Sequence, residues 1–422
     1  MFNKKGLKVM SFISILALLG ACSGDDGNSS NESADSGGTQ TVSFWAPFSG
    51  PDGPNMQEIV EDFNESQDDV KVNMQIVPQS EYYTTVDLSL SGQEDGADVM
   101  IMHGDQVVTY ASQNILKNLD DIVGDTINRD DYHPTAWDGV EVDGSLYGVP
   151  LDIHPLMFYY NKDMFEAAGL DPEAPPTNRE EFVDMAKQLT NAENGEWGYV
   201  VPSLWPQQFI FPSIVYQNGG QLITDDGTVN YASAEAIEAL EFQSDLIFEH
   251  KVSPENVQQD GELTLFMQGK SAMHMNGPWM LNQFVESGMN FGVAPVPQLG
   301  TEQEAVFANS HNFVIPETVQ DDAKIEAITT FLNYVGENGM AWAESGQAPV
   351  SKAVYESDEF NEMMQQPEVA KQFDYTQFSP RVENWGPLSD PLFSAVNEVL
   401  LGSKDAKEAL EQAQEEAQSR MQ

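Results

Sequence analysis

The chain has 422 residues, of which 41% are hydrophobic and 10% aromatic, enough to form the cores of two domains. Its 68 acidic and 18 basic residues give a net charge of −50, which excludes nucleic acid and anionic membrane surfaces as partners, because proteins bind those through Lys and Arg. Cys22 is the only cysteine, so structural disulfides are excluded. We interpret the acidic excess, which is spread along the chain, as a solvated surface suited to high salt or high external pH.

Residues 1–21 have the pattern of a secretory signal peptide. Lys4, Lys5 and Lys8 precede a short apolar core, and Leu19-Gly20-Ala21-Cys22 follows it. The order leucine, two small residues, cysteine resembles a bacterial lipobox, which implies cleavage before Cys22 and a lipid on its thiol. The alternative is a plain secretory signal with an incidental cysteine.

Residues 22–40 predict a flexible, lipid-anchored linker. From residue 23 on they are mainly Ser, Gly, Asn and Asp without a large apolar side chain, so they cannot bury enough surface to fold. No later segment contains a long uncharged apolar run. We therefore expect the lipid to be the only membrane attachment.

From residue 41 onward the pattern alternates between strand and helix. Apolar residues at 42 and 44 predict a strand, those at 56, 59, 60 and 63 a helix, and those at 70, 72, 74 and 76 a half-buried strand. The run 98–102 predicts a buried parallel strand with His103-Gly104-Asp105 as the loop at its carboxyl end. This alternation predicts an open α/β sheet, in which ligands bind at the carboxyl ends of strands.

Three further helices are predicted from capping and periodicity. Thr177 and Glu180 fit a capping box for a helix that ends near residue 189. Apolar residues at 325, 328, 332 and 335 predict a second helix. The tail 403–422, rich in Ala, Glu and Gln, predicts a third.

The sequence contains none of the common catalytic or cofactor-binding motifs, so we predict no catalytic residue and no cofactor. The six histidines (His103, His133, His154, His250, His274 and His311) are not paired at metal-ligand spacing. No metal site is therefore predicted, although one assembled from distant residues stays open.

Four of the seven tryptophans, at positions 45, 205, 279 and 385, occur in loop-like contexts with proline or glycine nearby. Such neighbours indicate turns rather than helix interiors. An indole on a turn either covers the core or offers a flat face to a ligand. With four of them, we expect at least two to face a shared cleft that suits a sugar, whose C–H groups stack on aromatic rings while its hydroxyls bond to polar side chains.

Several blocks of the chain resemble the extracellular solute-binding proteins of ABC importers, in particular the sugar-binding group. Tyr147-Gly148-Val149-Pro150 and Gly277-Pro278-Trp279 belong to the most characteristic of them. The resembling blocks, which follow the family's order, are 41–48, 97–105, 147–150, 158–170, 175–177, 266–279 and 311–316.

The resemblance implies an α/β fold, a two-lobe periplasmic-binding-protein-like clamp with the ligand in a cleft between the lobes. The first lobe would hold 41–150 with 298–347, and the second 153–292 with 352–422. Hinge crossings would fall at 150–152, 293–297 and 348–351. Closure of two lobes around a ligand is a common transition in such proteins.

The resemblance also implies a set of ligand-binding residues. Trp45 and Trp279 match positions that line the sugar cleft, and Asp105 and His154 match polar contact positions. The full implied set is Trp45, Asp105, Asp152, His154, Trp205, Trp279, His311 and Trp385. Two roles stay open, since Asp152 either binds ligand or caps the hinge turn, and His311 either contacts ligand or is bonded to backbone.

By the same resemblance, the protein would be a monomeric, lipid-anchored receptor on the extracellular face of the cell membrane. It would capture a carbohydrate, in first place an oligosaccharide, and deliver it without catalysis to the transmembrane subunits of an ABC permease. One alternative is the same fold binding a polyol, a glycerophosphodiester or a peptide, and a phosphate would need a cation such as Arg381. Another is an anchored glycoside hydrolase with two acids.

Overall fold

The computed structural model describes residues 39–421, apart from 49, 51 and 92–95. The predicted signal peptide, the lipidation site Cys22 and nearly all of the predicted linker lie outside the described residues. The first strand begins at Gln40, the last residue of that linker. Within this part of the chain, no helix is long and apolar enough to cross a membrane.

The described residues form fourteen strands, most of them short. In chain order these are β1 (Gln40–Ala46), β2 (Val70–Ile76), β3 (Val99–His103), β4 (Glu141–Val142), β5 (Ser145–Leu146), β6 (Val149–Pro150), β7 (His154–Pro155), β8 (Met157–Asn161), β9 (Trp197–Tyr199), β10 (Ser271–Asn276), β11 (Phe291–Ala294), β12 (Val306–Asn309), β13 (His311–Val314) and β14 (Thr376–Gln377).

The α-helices of the same residues range from four to seventeen residues in length. They are α1 (Asp52–Ser66), α2 (Gln79–Leu90), α3 (Gly104–Ser112), α4 (Ile122–Asp125), α5 (Lys162–Ala167), α6 (Arg179–Leu189), α7 (Gln207–Gln217), α8 (Ala234–Phe248), α9 (Gly261–Met267), α10 (Leu281–Ser287), α11 (Asp322–Asn338), α12 (Met340–Glu344), α13 (Lys352–Tyr355), α14 (Asp358–Asn361), α15 (Gln366–Ala370), α16 (Trp385–Leu400) and α17 (Ala406–Arg420).

Two larger sheets and one small sheet organise the fold. The first has the order β2-β1-β3-β13-β6, and the second has the order β11-β8-β10-β9. Strands β7 and β12 each lie in the chain between strands of the two larger sheets. They pair with each other and form a three-stranded sheet with β14. The predicted α/β class and two-lobed architecture are confirmed. Strand β3 runs parallel to β1, as predicted, but antiparallel to β13 on its other side.

Each sheet is covered by apolar side chains that follow the strand alternation. In β1, Phe44 packs against Phe313 and Phe331, whereas Trp45 points to the other face of the sheet, beside Tyr82. Successive side chains of β8 likewise alternate between two hydrophobic clusters. The sheets therefore have apolar layers on both faces, which is typical of an α/β fold.

The predicted lobe boundaries stay a prediction, to which the structure adds two observations. Leu299 and Phe307 lie in the hydrophobic cluster of the second sheet, although both fall in a segment assigned to the first lobe. The predicted crossings at 150–152 and 348–351 contact one another, since Asp152 forms a β-bridge with Pro349.

Helix α1 buries all four predicted apolar residues, and α11 and α17 occupy the predicted segments. The predicted position of the α6 capping box is wrong by one residue. Asn178 caps the helix by accepting from the Glu181 amide at 3.0 Å, and the Glu181 carboxylate accepts from the Thr177 amide at 2.9 Å. The predicted loop after β3 is also wrong, because α3 starts at Gly104.

Candidate ligand-binding site

A cavity of about 1280 Å³ lies among the described residues. Its lining includes His103 and His311 of the first sheet, together with Trp205, Phe209 and Trp279. Among the described residues that line this cavity, none is a lysine or an arginine.

Six of the eight residues predicted to bind ligand line this cavity. They are Asp105, His154, Trp205, Trp279, His311 and Trp385. Trp45 is not a lining residue, because the alternation of β1 turns its indole into the apolar layer beside Tyr82, where it is 5% exposed. Asp152 is fully buried beneath the lining residues, where it bonds to His154 and His311.

The aromatic side chains form a continuous wall. Trp205, in the loop before α7, stacks on Trp279 with ring centroids 6.0 Å apart and planes at 30°. Phe209 contacts both rings edge-on, at 5.5 and 5.8 Å. Trp385, the first residue of α16, lines the cavity but is only 6% exposed. The wall thus offers chiefly the partly exposed indoles of Trp205 and Trp279.

Gly277 makes room for the Trp279 indole. A Cβ atom at residue 277 would lie 2.0 Å from the ring carbon Cη2 of Trp279, closer than any real contact. The Gly-Pro-Trp turn therefore requires glycine for steric reasons, although its backbone has an ordinary φ of −83°.

The floor of the cavity is a cluster of three histidines over one carboxylate. His103 lies directly opposite His311 in the β3–β13 pair, and His154 lies opposite Asn309 in the β7–β12 pair. The ring centroids of His154 and His311 are 4.3 Å apart, and His103 is 5.0 Å from His311 and 6.2 Å from His154.

Asp152 binds this cluster together. Its Oδ1 accepts from His154 Nδ1 at 2.9 Å and from the His311 amide at 3.0 Å. Its Oδ2 accepts from His311 Nδ1 and from Trp342 Nε1, both at 2.8 Å. A carboxylate has about four lone-pair positions, so Asp152 is fully occupied and serves as a support for the lining histidines.

Burial and charge shift the pKa values of this cluster in opposite directions. Burial alone would raise the pKa of Asp152, but the charges of His311 and His154 and their hydrogen bonds hold it well below its usual range. Burial, followed by the charge of His311, lowers the pKa of His154. Burial also lowers the pKa of His103, with His311 and His154 adding to the effect.

Five side-chain oxygens of lining residues are buried and accept no hydrogen bond within the described part of the chain. They belong to Asp52, Gln207, Gln208, Gln347 and Asn397. Gln347 Nε2 donates to Asp52 Oδ2 at 3.2 Å, and Asp52 Oδ1 and Gln347 Oε1 have no donor among residues that the structure describes. Burial raises the pKa of Asp52 to about 6. Buried polar atoms are normally paired, but these oxygens are covered by neighbouring atoms, so a ligand in the cavity would reach them only after side chains move.

Asp105 reaches the cavity wall but is already bonded. It accepts from Asn309 Nδ2 and from Gln106 Nε2, both at 2.8 Å. Arg381 lies elsewhere, in a separate groove, where it donates to the carbonyl oxygens of Gly139 and Glu141.

Sequence reasoning missed several lining residues. Tyr83 bonds to His103 Nδ1 at 2.6 Å, and Asp52, Gln208 and Gln347 contribute unpaired oxygens. For His103 a signal was available, since it ends the apolar run of β3 at the carboxyl edge, where ligands bind in α/β sheets. Asp52, Gln208 and Gln347 carry no such signal, because isolated Gln and Asp residues are common on protein surfaces.

A two-lobed α/β fold with a deep, aromatic-lined cavity defines a class of proteins that bind solutes between their lobes. The family of bacterial extracellular solute-binding proteins matches residues 49–342, and the chain belongs to this family.

Two relatives and one solved structure resemble most of the chain. A galactooligosaccharide-binding protein of Bacillus subtilis (strain 168) is 24% identical and covers 85% of this chain and 84% of its own. A maltooligosaccharide ABC transporter solute-binding lipoprotein of Streptococcus pneumoniae (strain ATCC BAA-255 / R6) is 26% identical over 77% of both chains. The crystal structure of the cyclic alpha-maltosyl-1,6-maltose binding protein from Arthrobacter globiformis has a TM-score of 0.77 and 25% identity, and covers 90% of this chain and 98% of its own.

Proposed function

We propose that this protein captures a carbohydrate, in first place an oligosaccharide, between its lobes and delivers it to an ABC permease. The observation that carries the proposal is the combination, in one cavity, of a stacked tryptophan wall with polar side chains such as those of Gln208, Gln283 and Asn309. The similarity to relatives named for oligosaccharide binding supports it.

The apolar patches and the hydroxyl groups of a sugar both match side chains of this cavity. A pyranose ring has apolar C–H patches that stack on indole faces, and its hydroxyls form hydrogen bonds with polar lining side chains such as those of Gln283 and Asn309. A volume of about 1280 Å³ exceeds the roughly 300–1,000 Å³ of pockets for drug-sized ligands. This size favours an oligosaccharide over a monosaccharide.

Within the predicted set, we propose direct contact for Trp205, Trp279, His154 and His311. Asp105 and Asp152 position the side chains to which they are hydrogen-bonded, and Trp385 packs behind the exposed indoles. Trp45 is left out, because its indole packs in the apolar layer of the first sheet. For closure to be driven by the sugar, binding must be tighter in the closed state than in the open one.

We further propose that the mature protein is a monomer on the extracellular face of the cell membrane, anchored by a lipid on Cys22. The lipoprotein relative supports the anchor. In cells that express the full chain, Cys22→Ser should release the protein into the medium and abolish incorporation of a palmitate analogue. A Cys22→Ser protein that stays in the membrane fraction would refute the anchor and leave the sugar site untouched.

The alternatives have weaker support. A phosphate-bearing ligand such as a glycerophosphodiester would need a cation, but no described lining residue is Lys or Arg, and Arg381 is bonded to backbone in another groove. A glycoside hydrolase needs two carboxyl groups that flank the bound sugar. Four carboxyl groups belong to the described lining. Asp390 and Glu398 contact Arg420 and Lys404, respectively, and both oxygens of Asp105 accept hydrogen bonds from amides. Asp52 is thus a single candidate acid without a second unengaged carboxyl group among the described lining residues. We propose no catalysis, and intact oligosaccharide after long incubation with the protein is the expected result.

A tryptophan-fluorescence titration of the purified mature chain tests the main proposal. The panel comprises maltose, maltotriose, maltotetraose, a galactooligosaccharide, glucose and glycerol. We expect a saturable change for at least one oligosaccharide and a weaker or absent change for glucose and glycerol. Saturation by glycerol alone would favour the polyol alternative, and no response to any sugar would count against the proposal.

A further inference from the structure

The cavity extends along one ridge of helix α16. Its lining includes Trp385, Ser389, Phe393 and Asn397, which follow one another at intervals of four residues. Residues at this spacing form a single ridge on the surface of a helix. At a rise of about 1.5 Å per residue, the distance along the axis from Trp385 to Asn397 is roughly 18 Å. The α16 ridge, as we call these four residues, therefore borders the cavity over more than three helical turns.

The two ends of the α16 ridge lie in different surroundings. Asn384, directly before α16, donates its amide to Thr109 Oγ1 at 2.9 Å, and Thr109 belongs to α3, the helix that follows β3 of the first sheet. At the other end, Glu398 forms an ion pair with Lys404 in the turn before α17, a helix that packs in the apolar cluster of the second sheet. The α16 ridge thus leads away from the first sheet and along the layer that covers the second sheet.

The far part of the α16 ridge offers both apolar and polar side chains to the cavity. Phe393 is half-buried, and its neighbour Ser394, which also lines the cavity, is exposed. Leu204 precedes α7, a helix that packs against α16, and it lines the same cavity with 42% of its surface exposed. Together with the amide of Asn397, these side chains form the mixture of apolar faces and hydrogen-bonding groups that binds sugars.

The charges along α16 restrict the kind of sugar that fits. The carboxylates of Asp390 and Glu398 line the cavity, and the described lining residues include no lysine or arginine. An acidic sugar would meet like charges here without a cation to bind its carboxylates. This lining therefore favours an uncharged sugar.

The length of the α16 ridge sets the number of sugar units. One pyranose unit of an extended chain is about as long as one helical turn of about 5.4 Å, so roughly 18 Å accommodates about three units. One further unit stacks on the wall formed by Trp205 and Trp279. A chain that uses both parts of the cavity has at least four units.

Building on the proposed function, we propose that the ligand is a neutral oligosaccharide of at least four units that lies along the α16 ridge. One end stacks on the tryptophan wall, and the following units contact Ser389, Phe393 and Asn397. Phe393 is the residue that selects for chain length, because its phenyl ring is reached only by units beyond the wall. Since the ridge ends on the second lobe rather than between the lobes, the chain end over Asn397 stays unenclosed and longer chains are accepted as well.

Calorimetric titration of the mature chain with two series of sugars tests this inference. One series runs from maltose to maltohexaose, and the other comprises galactooligosaccharides of two to six units. In the series that binds more tightly, the Kd should still fall between the trisaccharide and the pentasaccharide. A sugar that stacks on part of the Phe393 ring covers roughly 50–60 Å² of apolar surface, so Phe393→Ala should weaken pentasaccharide binding about tenfold and change disaccharide binding by less than about twofold.

Phe248→Ala is the matched control. Phe248 and Phe393 are both partly buried against the same hydrophobic cluster, but Phe248 does not line the cavity. The control should bind every sugar like the unmodified chain. If Phe393→Ala does not fold, the dependence of Kd on chain length in the unmodified chain decides the matter alone.

The possible failures are distinguishable. If no sugar of either series binds, the proposed function fails and this inference fails with it. If sugars bind but the trisaccharide and the pentasaccharide have equal Kd values, or if Phe393→Ala weakens all chain lengths equally, the α16 ridge is overturned and capture of sugar stands. An oligogalacturonide of five units that binds as tightly as the neutral pentasaccharide would overturn the restriction to uncharged sugars.

Discussion

The aromatic wall gives the sharpest test of how the cavity holds its ligand. Trp279→Ala removes an indole that is stacked on Trp205 at 6.0 Å and contacts Phe209 at 5.8 Å. A buried tryptophan covers roughly 150–250 Å², of which a stacked sugar covers about half. At about 25 cal/mol per Å², the loss amounts to about 2–3 kcal/mol, which is roughly a 30- to 150-fold weaker Kd.

The assay is calorimetric titration with the tightest-binding oligosaccharide of the panel, because removal of the indole also removes part of the fluorescence signal. Trp279→Phe keeps an aromatic face and should lose less affinity than Trp279→Ala. Trp197→Phe is the matched control, because Trp197 lies on β9 and does not line the cavity. If Trp279→Ala is folded and binds the sugar as tightly as the unmodified chain, stacking does not drive capture.

Three further predictions follow from single contacts. Gly277→Ala places a methyl group where the Trp279 ring lies, so calorimetry should show sugar affinity falling toward that of Trp279→Ala; an unchanged Kd would contradict the packing argument. Asp152→Ala leaves the N–H groups of two histidines and one indole buried without an acceptor, so urea unfolding should show a loss of about 3–5 kcal/mol; equal stability would mean that the cluster contributes nothing. Burial raises the pKa of Glu262 to about 7 from a usual value near 4.5, and its Oε1 has no partner within the described residues. Its stabilising contribution is therefore complete below pH 4.5 and is lost as the pH rises through 7, by about 3 kcal/mol. Glu262→Gln should flatten the decline of Tm between pH 5 and 8, and a variant with the same decline would rule Glu262 out as its source.

The segments that could be predicted are those in which one period dominates the sequence. The stripe at 56, 59, 60 and 63 has a single helical interpretation, and all four residues are buried in α1. The run before His103 is apolar throughout, as a strand covered on both faces must be. In contrast, β2 alternates to its end in sequence, yet Ile76 is 41% exposed, because the covering layer does not extend over the end of this edge strand.

The site could be predicted only in part, because strand alternation decides which of two neighbouring side chains faces the cavity. Phe44 and Trp45 are adjacent in β1, and nothing in the sequence says which face of the sheet is covered by which helix. Trp279 was predictable because the Gly-Pro-Trp turn accompanies it in the resembling family. The orphaned oxygens of Gln347 and Asp52 were not, because 295 positions separate the two residues in the chain.

The histidine cluster shows what sequence spacing cannot express. His103 and His154 are 51 residues apart, and His311 follows 157 residues later, so no local motif exists. Two pairings bring them together: His103 opposes His311 across β3 and β13, and His154 opposes Asn309, two residues before His311, across β7 and β12. A slip of one residue in either pair would turn a histidine to the opposite face. The same register places Asp152 within bonding distance of both Nδ1 atoms, so the orientation of the imidazoles at the cavity floor is set by sheet pairing rather than by the ligand.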